Sequence, residues 1–242
     1  MKIYEKIRRK QLNTGVSIEN VFKNQKECRQ IENKILTLSQ QWYVFAVTEL
    51  SVESFEEFRD KLYLPIIWNK PNANINALLN NITPETIQEQ QRFFCAIRKQ
   101  ELLVGGAIFT YDNDMFIFSY KAADETKVEG YIGLWTILDF LFFKEAIKKN
   151  PRYFSYGKDR NYYGWLWASP SLAKHKLLLR FSPVVPEEAR EIEIDEDNLS
   201  PNSLIFTEPD EKGIFTTALV VQNQGGIDET LLIKRGFNVV HK

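Results

Sequence analysis

Histidine, cysteine and methionine are scarce, two of each in 242 residues. Cys28 and Cys95 lie in polar or mixed surroundings without CxxC spacing, so neither a disulfide framework nor a zinc knuckle is expected, and no metal is implied. With His175 and His241 alone, no Ser-His-Asp arrangement can be assembled. An excess of positive charge is missing too. Lys and Arg total 31 against 32 Asp and Glu, a net charge of −1, so no global field gathers phosphate backbones and duplex nucleic acid is not an expected partner. Uninterrupted apolar runs are short. Residues 131–147, YIGLWTILDFLFFKEAI, approach membrane-span composition, but Asp139 breaks them and Lys144-Glu145 follow, whereas a span needs about 20 apolar residues. They read as a helix buried on most sides in a water-soluble core, with no membrane span. The opening residues, MKIYEKIRRKQLNTG, are charged and lack the apolar stretch of an export signal, so a reducing cytoplasm is the expected location.

What is present reads as one large domain or two small ones. Residues 18–38 space Ile18, Val21, Phe22, Ile31 and Ile35 at three and four and predict an amphipathic helix. Residues 42–50, WYVFAVTEL, predict a strand ending at Ser51, which caps a helix with acidic residues in its first turn. Thr83-Pro84-Glu85 opens a short helix. Residues 93–98, 102–111 and 115–122 read as strands of an antiparallel meander. The apolar helix is expected from about Thr126 until Asn150-Pro151 stops it; residues 152–156 then supply a strand parallel to the third of the meander. Residues 157–164 are expected as a polar, aromatic loop, and Ser169-Pro170 caps a helix that Pro183 and Pro186 end. Residues 187–198 are an acidic connector, or a strand with Ile192 and Ile194 facing in. The fold class is α/β (α+β), a mixed, mostly antiparallel sheet flanked by helices. Residues 1–186 are expected as the main domain and 187–242 as a β-rich extension that completes the sheet or docks a second copy.

The turn entering the apolar helix offers free amides and the positive end of a helix dipole, a place for an anion. Gly130 and Gly133 are expected in its first turn, where missing side chains let a phosphate approach, with Lys127 adding charge; close packing of helix on sheet is the alternative reason for both glycines.

Lys127-x-x-Gly130-x-Ile132-Gly133 resembles the cofactor motif of the GNAT superfamily of acyl-CoA-dependent N-acyltransferases, Arg-x-x-Gly-x-Gly or Ala, with lysine for arginine and the second glycine displaced by one position. Residues 103–109, LVGGAIF, the helix end at Lys144-Glu145, residues 153–157, YFSYG, and Lys174-x-Lys176 resemble the branch that includes the Fem-type peptidyl transferases. The likeness covers about residues 93–185. It implies a GNAT-like fold and transfer of an acyl group from acetyl-CoA or another acyl-CoA to an amine, such as an amino sugar or small metabolite. It further implies that the backbones of Tyr120 and Ala122 bond the pantetheine and that Lys127, Gly130, Tyr131 and Gly133 hold the diphosphate. An aminoacyl-tRNA donor, with RNA contacts from Arg152, Lys158, Arg160, Lys174, Lys176 and Arg180, is the alternative within the family. A catalytically inactive GNAT-like binding domain is another.

Acyl transfer from a thioester needs a neutral amine, an acceptor for its proton and donors for the tetrahedral oxyanion, and none of these requires a metal. Residues 156–164 hold one carboxylate, two cations and three phenols. Asp159 is the expected proton acceptor, and Tyr156 or Tyr163 the acid that reprotonates the thiolate. An ion pair or turn is the other reading of Asp159, between Lys158 and Arg160. Lys158, Arg160 and Trp165 are expected to contact the acceptor, with the aromatics around Trp165 as a stacking wall or as core. His175, between Lys174 and Lys176, is read as facing solvent or phosphates rather than acting as a base. Cys95 is read as a small core residue.

Overall fold

A computed structural model describes residues 1–12, 17–22, 24–68, 75–164 and 169–242. In chain order the elements are β1 (Lys2–Tyr4), β2 (Lys6–Leu12), α1 (Ile18–Val21), α2 (Gln25–Gln40), β3 (Tyr43–Glu49) and α3 (Val52–Phe58). After a π-helical turn (Arg59–Tyr63) come α4 (Leu64–Ile67), α5 (Ile75–Asn81), α6 (Pro84–Glu89), β4 (Gln91–Lys99), β5 (Leu102–Asp112) and β6 (Met115–Ala123). There follow α7 (Leu134–Lys149), β7 (Tyr153–Arg160), α8 (Pro170–Leu178), β8 (Ser182–Val184) and β9 (Glu191–Glu193). The chain ends with β10 (Ser203–Pro209), β11 (Phe215–Val221), α9 (Glu229–Lys234) and β12 (Asn238–His241). This is the expected mixture of helices with mostly antiparallel sheet.

The chain divides into two compact units, residues 12–154 and residues 1–11 with 155–242. The boundary expected at residue 186 falls inside the second unit, which draws on both ends of the chain.

In the first unit β3, β4, β5 and β6 form an antiparallel meander. Its strands are the β-branched and aromatic runs read from the sequence, apolar on both faces in β4 and β5. One face carries Phe58, Leu62, Phe94, Ile108 and Ala122. Gly105-Gly106 has a packing reason here: a Cβ on Gly106 would lie 2.8 Å from the Phe58 ring. Phe109, Phe116 and Phe118 pack around Phe142 of α7 at ring separations of 5.0–5.3 Å. Asp139, the charge that interrupts the apolar helix, accepts from Lys121 Nζ at 2.6 Å. The helix expected over 18–38 is two helices, because Asn24 breaks the run and caps the second through the Glu27 amide.

In the second unit β2 lies between β7 and β8, and β10, β11 and β12 form a separate sheet in which β11 and β12 are parallel and joined through α9. β1 pairs with β9, resolving the acidic stretch as a short strand with Ile192 partly buried in a cluster with Ile3. The loop expected from Gly157 is instead the continuation of β7 to Arg160. Phe206, Phe215, Leu231, Leu232 and Phe237 make this unit's principal core.

Candidate functional site

The residues expected to hold a cofactor all lie in the first unit. α7 begins at Leu134, eight residues later than Thr126, so its first turn contains neither glycine. Gly130 sits in the preceding loop with φ +103°, a backbone region open to glycine, and Gly133 is the residue before the helix. The Glu125 carboxylate already occupies the helix entrance, accepting from the amide of Leu134 at 3.1 Å and of Trp135 at 2.8 Å. A Cβ on Gly133 would overlap that carboxylate, so the missing side chain makes room for Glu125. Where a phosphate was expected, the positive end of the dipole meets the chain's own carboxylate.

The backbone of β6 also differs from expectation. The Asp124 amide donates to the Val104 carbonyl, and the register continues as Gly106 opposite Ala122 and Ile108 opposite Tyr120. Hydrogen-bonded pairs recur every second residue of an antiparallel ladder, so the main-chain groups of Tyr120 and Ala122 face β5; those of Lys121 and Ala123 point the other way. The side chain of Tyr120 is held by Ala77 O and Asn81 Nδ2, each at 2.9 Å, and burial raises its phenol above the ordinary range. Ala122 is buried core. Lys127 is exposed, with its ammonium 3.7 Å from the Asp124 carboxylate, and Tyr131 is fully exposed.

The residues expected to act on protons lie in the second unit, where Asp159 and Tyr163 meet in a buried cluster. Asp159 accepts from Lys176 Nζ at 2.6 Å, from Tyr163 Oη at 2.6 Å and from Arg9 Nε at 3.3 Å. Arg9 also donates to Tyr163 Oη from Nε and Nη2 and lies over the Phe206 ring, 4.7 Å from its centroid. Burial opposes ionisation of Asp159, but the Lys176 and Arg9 charges outweigh it and hold the carboxyl below its usual range. Burial drives the Tyr163 phenol well above 10. A carboxylate so stabilised, with three donors on it, is a poor proton acceptor, and a buried phenol so raised is a poor proton donor. The expected acid–base pair is therefore a structural ion cluster, the ion-pair reading of Asp159 with different partners from its sequence neighbours. Arg9 escaped the sequence reading, although Ile7-x-Arg9 alternates onto one face of β2 and both residues are fully buried.

Tyr156 lies beside this cluster and is drawn to it through its carbonyl, which accepts from Lys176 Nζ at 2.9 Å. Its hydroxyl is 3.4 Å from His175 Nε2, with the rings edge to face. Of the expected acceptor contacts, Lys158 pairs with Glu188, Arg160 is exposed, and Trp165 lies outside the described residues. Lys174 pairs with Asp228 at 2.9 Å, so carboxylates face Lys158, Lys174 and Lys176, cations expected to meet RNA. Cys95 is fully buried and burial pushes its thiol up, which suits a core residue. Among the described residues no group of three or more His, Cys, Asp or Glu is placed to hold a metal ion, and no helix is long and apolar enough to cross a membrane.

No protein-family profile matches the chain, and no curated protein matches it. Among solved structures, a conserved protein of unknown function from Bacteroides thetaiotaomicron VPI-5482 is similar at 13% identity, over 75% of this chain and 58% of that one, with a TM-score of 0.50. L-PGS from Bacillus licheniformis aligns at 13% identity over 65% of this chain and 48% of its own, TM-score 0.41. The C-terminal domain of a lysylphosphatidylglycerol synthetase from Agrobacterium fabrum aligns at 11% over 66% and 49%, TM-score 0.36. The chain spans about half the length of these structures. At such identity the Bacteroides likeness speaks for a shared fold and carries no chemistry.

Proposed function

We propose that the chain is an acyltransferase of GNAT-like class that moves an acyl group onto an amine. The observation that carries this reading is the order of elements: an antiparallel meander with Gly105-Gly106 in its middle strand, a loop with Lys127 and Gly130, the apolar helix α7 and then β7. That is the succession the sequence resemblance implies over residues 93–185. In the reaction the amine nitrogen attacks the carbonyl carbon of the donor, the new C–N bond forms, the bond to the leaving group breaks, and the amine proton must pass to a base. Asp159, committed to Lys176, Tyr163 and Arg9, is poorly suited to take that proton.

An acyl-CoA is the donor proposed. A coenzyme A diphosphate at the α7 entrance must displace Glu125 from the amides of Leu134 and Trp135, so donor binding competes with an internal carboxylate. Thermal-shift titration of the wild type and of Glu125→Gln with acetyl-CoA tests this, because a ligand that binds only the folded state raises Tm by mass action. Stabilisation of both, larger for Glu125→Gln, is the expected result. The absence of any shift in either removes the acyl-CoA donor. Salt-sensitive binding of aminoacyl-tRNA without coenzyme A binding would select the alternative donor.

A second reading, a GNAT-like domain that binds without catalysing, is favoured by one observation: Glu125 at the helix entrance and Asp159 in its ion cluster are both already satisfied from within the chain. Binding of neither donor is the result that would select it.

A further inference from the structure

We propose that β3 is a docking edge for a second copy of this chain, paired antiparallel about a twofold axis at Ala46. β3 is the outermost strand of its sheet, with β4 on one side only. The Gln100 amide donates to the Trp42 carbonyl and the Leu50 amide to the Arg92 carbonyl, and both fit the register that sets Val44 opposite Arg98. The even-numbered residues of β3 therefore direct their main-chain groups to β4, and Tyr43, Phe45, Val47 and Glu49 direct theirs outward. Among the described residues nothing bonds those outward groups.

An open edge is a template for another strand, and proteins usually blunt one with a charge, a proline or a bulge. Residues 43–48, YVFAVT, contain none of these, and the neighbouring Val44 and Trp42 are 58% and 74% exposed. The charges nearby favour a copy of the same strand. Pairing about Ala46 sets Phe45 opposite Val47 and Tyr43 opposite Glu49, so that each pair of outward-facing residues exchanges its N–H and C=O groups. Glu49 is exposed and lacks a cationic partner among the described residues. Lys99, directly across from Tyr43 on β4, leans its ammonium over the Tyr43 ring, 5.3 Å from the centroid, on the row where Glu49 of the second copy would arrive. The twofold axis repeats this Lys99–Tyr43–Glu49 row at the other end. One strand pair buries less area than a standard stable interface, so the dimer should be weak and concentration-dependent.

Sedimentation equilibrium over a concentration series of the full chain tests the proposal. The expected result is a reversible monomer–dimer equilibrium. Val47→Pro should make the chain monomeric while leaving its circular dichroism intact, because the lost N–H is an outward one and proline is tolerated on such an edge. Lys99→Glu should weaken the dimer by about tenfold, and adding Glu49→Lys to it should restore most of the loss, a readout that does not depend on how well the proline variant folds. A wild-type chain that is monomeric at every concentration overturns the proposal, and so does a dimer left intact by both Val47→Pro and Lys99→Glu.

Discussion

Two carboxylates, one in each unit, were drawn to positive charge in different ways. Glu125 meets the backbone amides at the start of α7 from a partly exposed position, and its partners are neutral groups that water or another anion could satisfy equally. Asp159 is 9% exposed and sits between two buried cations and a phenol, all three bonded to it inside the fold. The first contact is exchangeable and the second is permanent. An acidic residue among cations is therefore not enough to mark a base: what decides is whether its partners can be given up, and Asp159 cannot give up Lys176 without parting a buried ammonium from its counter-charge.

The largest effect should follow from breaking the permanent contact. Asp159→Asn leaves Lys176 and Arg9 facing a neutral group in the interior, and such uncompensated burial typically costs about 3–5 kcal/mol, readable by chemical denaturation. Acid should bring the two proteins together in a defined direction. The folded-state pKa of Asp159 lies below the unfolded value near 4, so its contribution is fully present above about pH 4 and is lost as pH falls through the lower folded value. The stability gap between wild type and Asp159→Asn should accordingly narrow below pH 4. A gap that stays constant down to the acid limit would show that Asp159 is not ionised in the fold.

The next effect tests whether the glycine pair of β5 is there for packing. Gly106→Ala places a methyl 2.8 Å from the Phe58 ring, inside contact distance, and overpacking of this kind costs about 1–3 kcal/mol. Combining it with Phe58→Leu should recover part of that loss. An unchanged stability for Gly106→Ala would detach the glycine from packing.

Local chemistry made much of this fold legible. Ser51, Thr83 and Ser169 cap the helices they were expected to cap, the strands of the meander lie within a residue or two of their apolar runs, and Asn150 closes α7 in a left-handed conformation. Misplaced features depended on partners distant in the chain or on turns without a periodic signal. The polar run Lys158-Asp159-Arg160 reads as a loop until Arg9, 150 residues away, gives Asp159 a reason to face inward. α7 starts late because residues 125–127 form a short 3-10 turn and the Glu125 side chain caps the helix from nine residues upstream, a reach no capping motif anticipates. Tyr120 and Ala122 were placed on the wrong main-chain side of β6, since a strand's pattern reports which way side chains point and only pairing shows which way its amides point.

The smallest effect on stability belongs to the exchangeable contact, and it is the most informative about function. Glu125→Gln keeps an acceptor at the helix entrance but removes its charge, which should cost about 1 kcal/mol or less. If the entrance is an anion site in waiting, the same change should strengthen inorganic pyrophosphate binding, because the incoming anion no longer displaces a like charge held by the same amides. Isothermal titration of both proteins separates the possibilities. Tighter binding to Glu125→Gln makes Glu125 a competitor for the site. Equal weak binding makes it a helix cap and nothing more, and moves the search for the donor away from α7.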